Sequence, residues 1–304
     1  MLDFRIDMFL TVFEAMNFTR AAEQLCMCQP AVSQHIRVLE AHYRVKLFRY
    51  RGKRLALTQS GAMLRDAART MRHDERYLAQ RIRDQGRQDR PLRFGATLTV
   101  AEFALPEKLV RYLQYRPDGD VQVSVGNTGE LLAGLDGGEL DFALVEGYFP
   151  REHYDGRLYS QERYLAVCAP DERLPLGPCR LEDLLNRRLI LREWGSGTRE
   201  ILERYLEAHG LSTGDFARRV EVGNLGAIKA LAVRGCGITF LYERAARAEL
   251  ADGWLRRVEL KNLDIVHDFN VIWRRDSIFR QEYEVVFREL CALPVPCGDR
   301  TIKE

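Results

Sequence analysis

What the chain lacks narrows it first. No run of about 18 apolar residues occurs, so no membrane-spanning helix is expected. The opening MLDFRIDMF has neither the basic start nor the unbroken apolar stretch of an export signal, and the expected location is the cytoplasm. The seven cysteines (Cys26, Cys28, Cys168, Cys179, Cys236, Cys291 and Cys297) include no CxxC pair, which argues against a zinc site and favours reduced thiols. The histidines (His35, His42, His73, His153, His209 and His267) show no HExxH or other metal spacing, so no metal is expected. Also missing are GxGxxG, the phosphate-cradling GxxxxGK[ST] and the GxSxG nucleophile elbow. No catalytic residues and no cofactor are assigned, and an enzyme is not expected.

What is present is unevenly charged. The net charge of +2 hides 17 Lys and Arg against 10 Asp and Glu in residues 1–90, a net of +7, and 29 against 34 in residues 91–304, a net of −5. A basic N-terminal module on a mildly acidic body suggests a polyanion partner for the first part only. The 304 residues suffice for two or three domains with cores of their own.

Within the basic module, Ile6, Phe9, Leu10 and Phe13 form the apolar stripe of a first helix. Asn17-Phe18-Thr19 breaks it, and Thr19 is the expected N-cap of a short second helix running from Arg20 to Leu25. Cys26-Met27-Cys28 makes a turn, and Gln29-Pro30 opens a third helix, QPAVSQHIRVLE. Val32, Ile36 and Leu39 lie on its apolar face. Gln29, Ser33, Gln34 and Arg37 lie on the other side, carrying amides, a hydroxyl and a guanidinium, groups able to read base edges. Two short helices joined by a tight turn describe a helix-turn-helix. The segment from Lys46 to Thr58 reads as a two-stranded wing turning at Gly52. Five of the nine residues 46–54 are basic, and Arg49, Arg51, Lys53 and Arg54 suit phosphate contact. Thr58 then caps a long helix over about 59–86. Leu64, Met71 and Leu78 recur every seven residues in it, a sparse seam that has little core to rest on alone and suggests pairing with a second copy.

Residues 9–61 carry FxxAAxxL, QPAVSxxIxxLE, LF and LTxxG in order. This run resembles the DNA-binding region of the LysR-type transcriptional regulators. The resemblance implies a winged helix-turn-helix over 1–58, a dimerising linker helix and hinge over 59–90, and over 91–304 a two-lobed α/β effector domain like a periplasmic binding protein. Lobe I would cover about 91–161 and 267–304, and lobe II about 162–266. It also implies double-stranded DNA, a small-molecule effector and a second copy as partners, a tetramer as the assembly, and room for contact with RNA polymerase. Cys28 stands where the family usually has a helix-capping Ser, and Arg49 where an acidic residue or Asn is common.

Beyond Gly86–Pro91, strands and helices alternate, which indicates a parallel sheet. Ligands of such sheets sit beyond strand ends, at helix N-termini. Three hydroxyl-rich loop ends qualify: Thr97, Leu98 and Thr99; Asn127 and Thr128; and Ser196, Gly197 and Thr198 in GSGTRE. Glu146 and Asn224 lie at neighbouring loop ends. Helix capping would also account for Ser196 and Thr198. The resemblance favours effector binding there, and a helix N-terminus favours a small anion or carboxylate. Redox control through Cys168, Cys179 or Cys236 is the alternative regulatory input.

Overall fold

The computed structural model describes residues 3–84, 91–174, 177–261 and 263–292. The last residues of the 59–90 linker helix and hinge, 85–90, and Cys297 lie outside the described residues.

Three helices, α1 (Phe4–Ala15), α2 (Phe18–Gln24) and α3 (Gln29–Tyr43), pack around Phe9, Leu10, Ala21, Val32, Ile36 and Leu39. The wing follows as β1 (Phe48–Arg51) and β2 (Arg54–Leu57), antiparallel and turning through Gly52 at φ +62°. The α2 cap differs from expectation. Asn17 Oδ1 accepts from the Thr19 and Arg20 amides, so Asn17 is the N-cap and Thr19 stands exposed one turn in. At α3 the N-cap residue Cys28 makes no side-chain capping bond. Glu40, buried on α3, accepts from the Leu47 amide at 2.9 Å and pairs with Lys46, tying the helix to the wing.

Helix α4 (Gln59–Arg83) starts at Thr58, whose hydroxyl accepts from the Gly61 amide. The expectation that this helix lacks a core to rest on is corrected. Ala68 joins the N-terminal core, and His73 and Tyr77 are buried against the C-terminal domain. The seam residues Met71 and Leu78 remain exposed on another face, as do Met63 and Ile82.

The C-terminal domain contains β3 (Leu92–Thr97), α5 (Pro106–Tyr115), β4 (Val121–Gly126), α6 (Thr128–Gly137), β5 (Phe142–Val145) and β6 (Tyr154–Cys168). It continues with β7 (Arg188–Leu191), α7 (Gly197–Ala208), β8 (Arg218–Glu221), α8 (Leu225–Val233), β9 (Ile238–Tyr242), α9 (Glu243–Ala251), β10 (Arg256–Val258), β11 (Ile265–Arg274) and α10 (Arg280–Ala292). The strand order is β4-β3-β5-β11-β6-β9-β7-β8, with β10 beside β6. The sheet is mixed rather than parallel. The flanks β4-β3-β5 and β9-β7-β8 are parallel, but β11 and β6 run antiparallel to each other and to their neighbours. Both are long: β6 spans 15 residues and β11 spans 10, with His267 opposite Glu162. The two lobes are thus joined through paired strands. One buried cluster runs through both lobes, from Phe94, Phe142 and Trp273 to Tyr242 and Leu206, and smaller clusters lie around Leu165, Ile190, Ile228 and Leu241 and around Leu131, Leu135 and Val145.

Candidate functional site

Two polar surfaces emerge. On the first, Gln29, Pro30, Gln34 and Arg37 stand exposed on α3, with Ser33 half-buried and accepting from Gln29 at 2.7 Å. Val32, Ile36 and Leu39 hold the opposite side in the core. Arg49, Arg51, Lys53 and Arg54 are exposed along the wing. An exposed helix face beside a basic hairpin is suited to a groove flanked by phosphates.

The second surface lies between the lobes, in a cleft of about 300 Å³. Of the ten residues expected there, Thr97, Leu98, Asn127, Glu146, Ser196 and Gly197 line it. Thr99 and Thr198 lie buried beneath, and each hydroxyl is 3.1 Å from Glu146 Oε1 and 3.1 Å from the other. Thr128 is buried where a Cβ on Gly147 would come within 2.4 Å of its hydroxyl. Asn224 is not part of the cleft wall. It is exposed and caps α8, accepting from the Ala227 amide.

The capping explanation of GSGTRE fails on geometry. Ser196 occupies the N-cap of α7, yet its buried hydroxyl makes no capping bond and has no partner among the described residues. The Thr198 hydroxyl goes to Glu146 instead. Gly195 adopts φ +86°, and a side chain on Gly197 would press within 3.0 Å of Glu146 and Gly147. The glycines therefore bring the α7 N-terminus against the loop of the other lobe.

Arg192, Glu193 and Glu130 complete the wall, and the sequence reading did not assign them. An Arg-Glu pair at the end of the apolar strand RLIL was the available signal. Arg192 is 5% exposed. Its Nε and Nη2 donate to the two Glu193 oxygens at 2.7 Å each, and its buried Nη1 has no partner among the described residues. Partial burial opposes ionising Glu193, but the Arg192 bonds and charge overcome it and hold the carboxyl below its usual range. Burial pushes the Glu146 carboxyl up to about 7, against the pull of the Thr99 hydroxyl, the Arg192 charge and Thr198. His267 Nε2 donates to the Glu146 carbonyl at 2.6 Å, a structural role, and burial lowers its basicity.

Burial also pushes the Cys168 thiol up to about 11 and raises Cys179, the reverse of a reactive thiolate. Among the described residues, no group of three or more His, Cys, Asp or Glu could hold a metal ion. No described helix is long and apolar enough to cross a membrane.

A winged helix-turn-helix joined to a cleft-bearing two-lobed domain defines a class, the ligand-responsive transcriptional regulators. Comparison with known proteins narrows it. Residues 5–62 match the bacterial regulatory helix-turn-helix protein, lysR family, and residues 85–290 match the LysR substrate binding domain. The chain belongs to the LysR family of transcriptional regulators. It is 30% identical to the uncharacterized HTH-type transcriptional regulator YeiE of Escherichia coli (strain K12), over 84% of this chain and 85% of that protein. It is 26% identical to the HTH-type transcriptional regulator CysL of Bacillus subtilis (strain 168), over 87% and 88%. Among solved structures, full-length LysG from Corynebacterium glutamicum with bound effector Arg superposes with a TM-score of 0.61 at 18% identity, over 95% of this chain and 98% of that one. These relatives are regulators, not enzymes.

Proposed function

We propose that this regulator is controlled by a small effector with an anionic group, seated at the N-terminus of α7. The observation that carries the reading is the pair of buried donors facing one cleft, Arg192 Nη1 and Ser196 Oγ, without partners among the described residues. Buried polar groups are nearly always hydrogen-bonded, so an unpaired pair beside a positive helix end invites an anion. Gln29, Ser33, Gln34 and Arg37 would then read the major groove, and the wing arginines and Lys53 would hold phosphates. The exposed seam of α4 suits pairing with a second copy, which would place two reading heads on one operator. Binding to DNA puts its work in the cytoplasm. The effector must favour one arrangement of the lobes over another to shift DNA binding.

The test is thermal unfolding of the full-length protein against sulfate, phosphate, succinate, malate and aspartate. An anion at 100 times its Kd should stabilise by about 2.7 kcal/mol. Loss of that gain in Ser196→Ala and Arg192→Met places the anion at this helix end. Retention of the full gain in both variants overturns the placement.

A further inference from the structure

The cleft is lined by three carboxylates, Glu130, Glu146 and Glu193, and by the guanidinium of Arg192. Two of the carboxylates are engaged. Glu193 grips Arg192, and Glu130 accepts from the Asn127 amide at 2.9 Å. Glu130 is exposed, whereas Glu146 lines the cleft fully buried, and its Oε2 has no partner among the described residues. An anion bound by Arg192 and Ser196 would therefore meet an acceptor of its own kind.

The threonine triangle can house the Glu146 proton on Oε1, which leaves Oε2 an acceptor when the carboxyl is protonated as well as when it is ionised. Its Oε1 and the Thr99 and Thr198 hydroxyls form a triangle with 3.1 Å sides. Two hydroxyl protons serve two sides, and a proton on Oε1 completes the third. Ionised or protonated in this way, Oε2 keeps its lone pairs for the cleft. No other neighbour named here supplies a charge that would change this. Tyr164 on β6 and Tyr242 on β9 are held as neutral phenols by burial, with Tyr164 donating to the Thr198 carbonyl at 2.8 Å. His267 on β11 is occupied by the Glu146 carbonyl, and the cation acting on the carboxylate is Arg192.

We propose that Glu146 sets the ligand class: the cleft takes a small anion that carries its own hydrogen-bond donor beside the anionic group, and disfavours anions built only of acceptors. The donor can be the proton of a hydrogen oxyanion, a hydroxyl or an ammonium. Arg192 and Ser196 hold the anionic end, and Glu146 Oε2 accepts from the donor. This rests on the anion reading above. It adds a demand that an anion site made of cations and helix amides would not impose.

The experiment uses matched probes on the full-length protein at pH 7.5, read by thermal unfolding and by intrinsic tryptophan fluorescence: hydrogen phosphate against sulfate, and malate and aspartate against succinate. At least one donor-bearing probe should bind about tenfold or more tightly than its donor-free partner, the scale of one buried acceptor left unpaired. In Glu146→Met, which keeps the side-chain length and removes the acceptor, that preference should vanish while some binding of both partners persists. Should Glu146→Met fail to fold, the wild-type ratio alone decides. Equal affinity within each pair in the wild-type protein overturns the inference but spares the anion reading. A preference that survives Glu146→Met overturns it as well. No response to any probe in either protein overturns the anion reading, and this inference with it.

Discussion

On α3 the reading residues Gln29, Gln34 and Arg37 face outward from a single helix, and the core behind them is apolar. In the cleft Thr97, Glu146, Arg192 and Ser196 are buried and arrive from the ends of β3, β5 and β7. The first surface meets water or DNA with Gln29 bonded to Ser33 and its other reading groups exposed. In the second, Arg192 is bonded to Glu193 while its Nη1 has no partner among the described residues, and Glu146 is bonded to two threonines while its Oε2 has none among them. The contrast teaches where specificity is stored. A reading face discriminates through what the partner presents to exposed groups, whereas a cleft discriminates through the cost of leaving buried groups unpaired.

The two modules are joined through α4. His73 Nδ1 donates to the Leu135 carbonyl at 2.9 Å, and its Nε2 accepts from the Tyr283 hydroxyl at 2.9 Å. Asp74 takes the Ser277 hydroxyl. Arg274, 2% exposed, donates to Asp136 at 2.8 Å and reaches the Asp66 carbonyl and Thr70 hydroxyl of the helix. Arg65 and Arg69 from the same helix lie over the Phe13 ring of α1. One helix is therefore bonded to both modules.

The largest expected effect breaks that connection. Arg274→Ala strands the Asp136 carboxylate, itself only about a tenth exposed, although Arg69 still pairs with it. Removing one partner of a buried pair typically costs about 3–5 kcal/mol, and denaturant unfolding should report a loss of that order. A change under about 1 kcal/mol would mean that neither this buried pair nor the reach of Arg274 to α4 carries much of the stability.

The next effect belongs to the cleft. Glu146 has its carboxyl raised to about 7 in the fold, above its ordinary value of 4.5. The folded state therefore holds a proton that the unfolded chain releases first. This contribution to stability is fully present below about pH 4.5 and is lost as pH rises through about 7. Unfolding midpoints of wild type should fall relative to Glu146→Met between pH 5 and 8. Parallel pH profiles would show that Glu146 is not protonated there.

On the reading face, Arg37→Ala should weaken binding to a preferred site by roughly 1–3 kcal/mol and relax preference at one base pair. Arg51→Ala should weaken binding to all sequences alike and lower the salt slope by about one unit. Both are measurable by titration at several salt concentrations. Interchanged behaviour would reverse the roles of helix and wing. The smallest effect is a gain: Cys28→Ser gives α3 the side-chain cap it lacks, adding roughly 0.5–1 kcal/mol. A loss of stability would show that the thiol packs where a hydroxyl cannot.

By itself the amino-acid order determined the reading head and the class of protein. Val32, Ile36 and Leu39 repeat at helical spacing, and the wing residues are contiguous, so neighbours in sequence are neighbours in space. The alternation of strands and helices in the second half was equally legible. What only the tertiary structure decided lies between segments far apart in the chain. The antiparallel pairing of β6 with β11 joins residues over a hundred positions apart, and strand periodicity carries no direction of pairing. Asn17 rather than Thr19 caps α2, because the start of the helix two residues earlier decides which oxygen reaches the free amides. Much of α4's support comes from residues far along the chain, Arg274, Ser277 and Tyr283 among them, invisible to a seven-residue repeat. Thr99, Glu146 and Thr198 looked like three separate loop-end candidates, and folding sets them in one triangle that presents a carboxylate, not a hydroxyl, to the cleft. Local periodicity reports which face is buried, whereas the charge and hydrogen-bonding balance of a site depends on which distant side chains burial forces together.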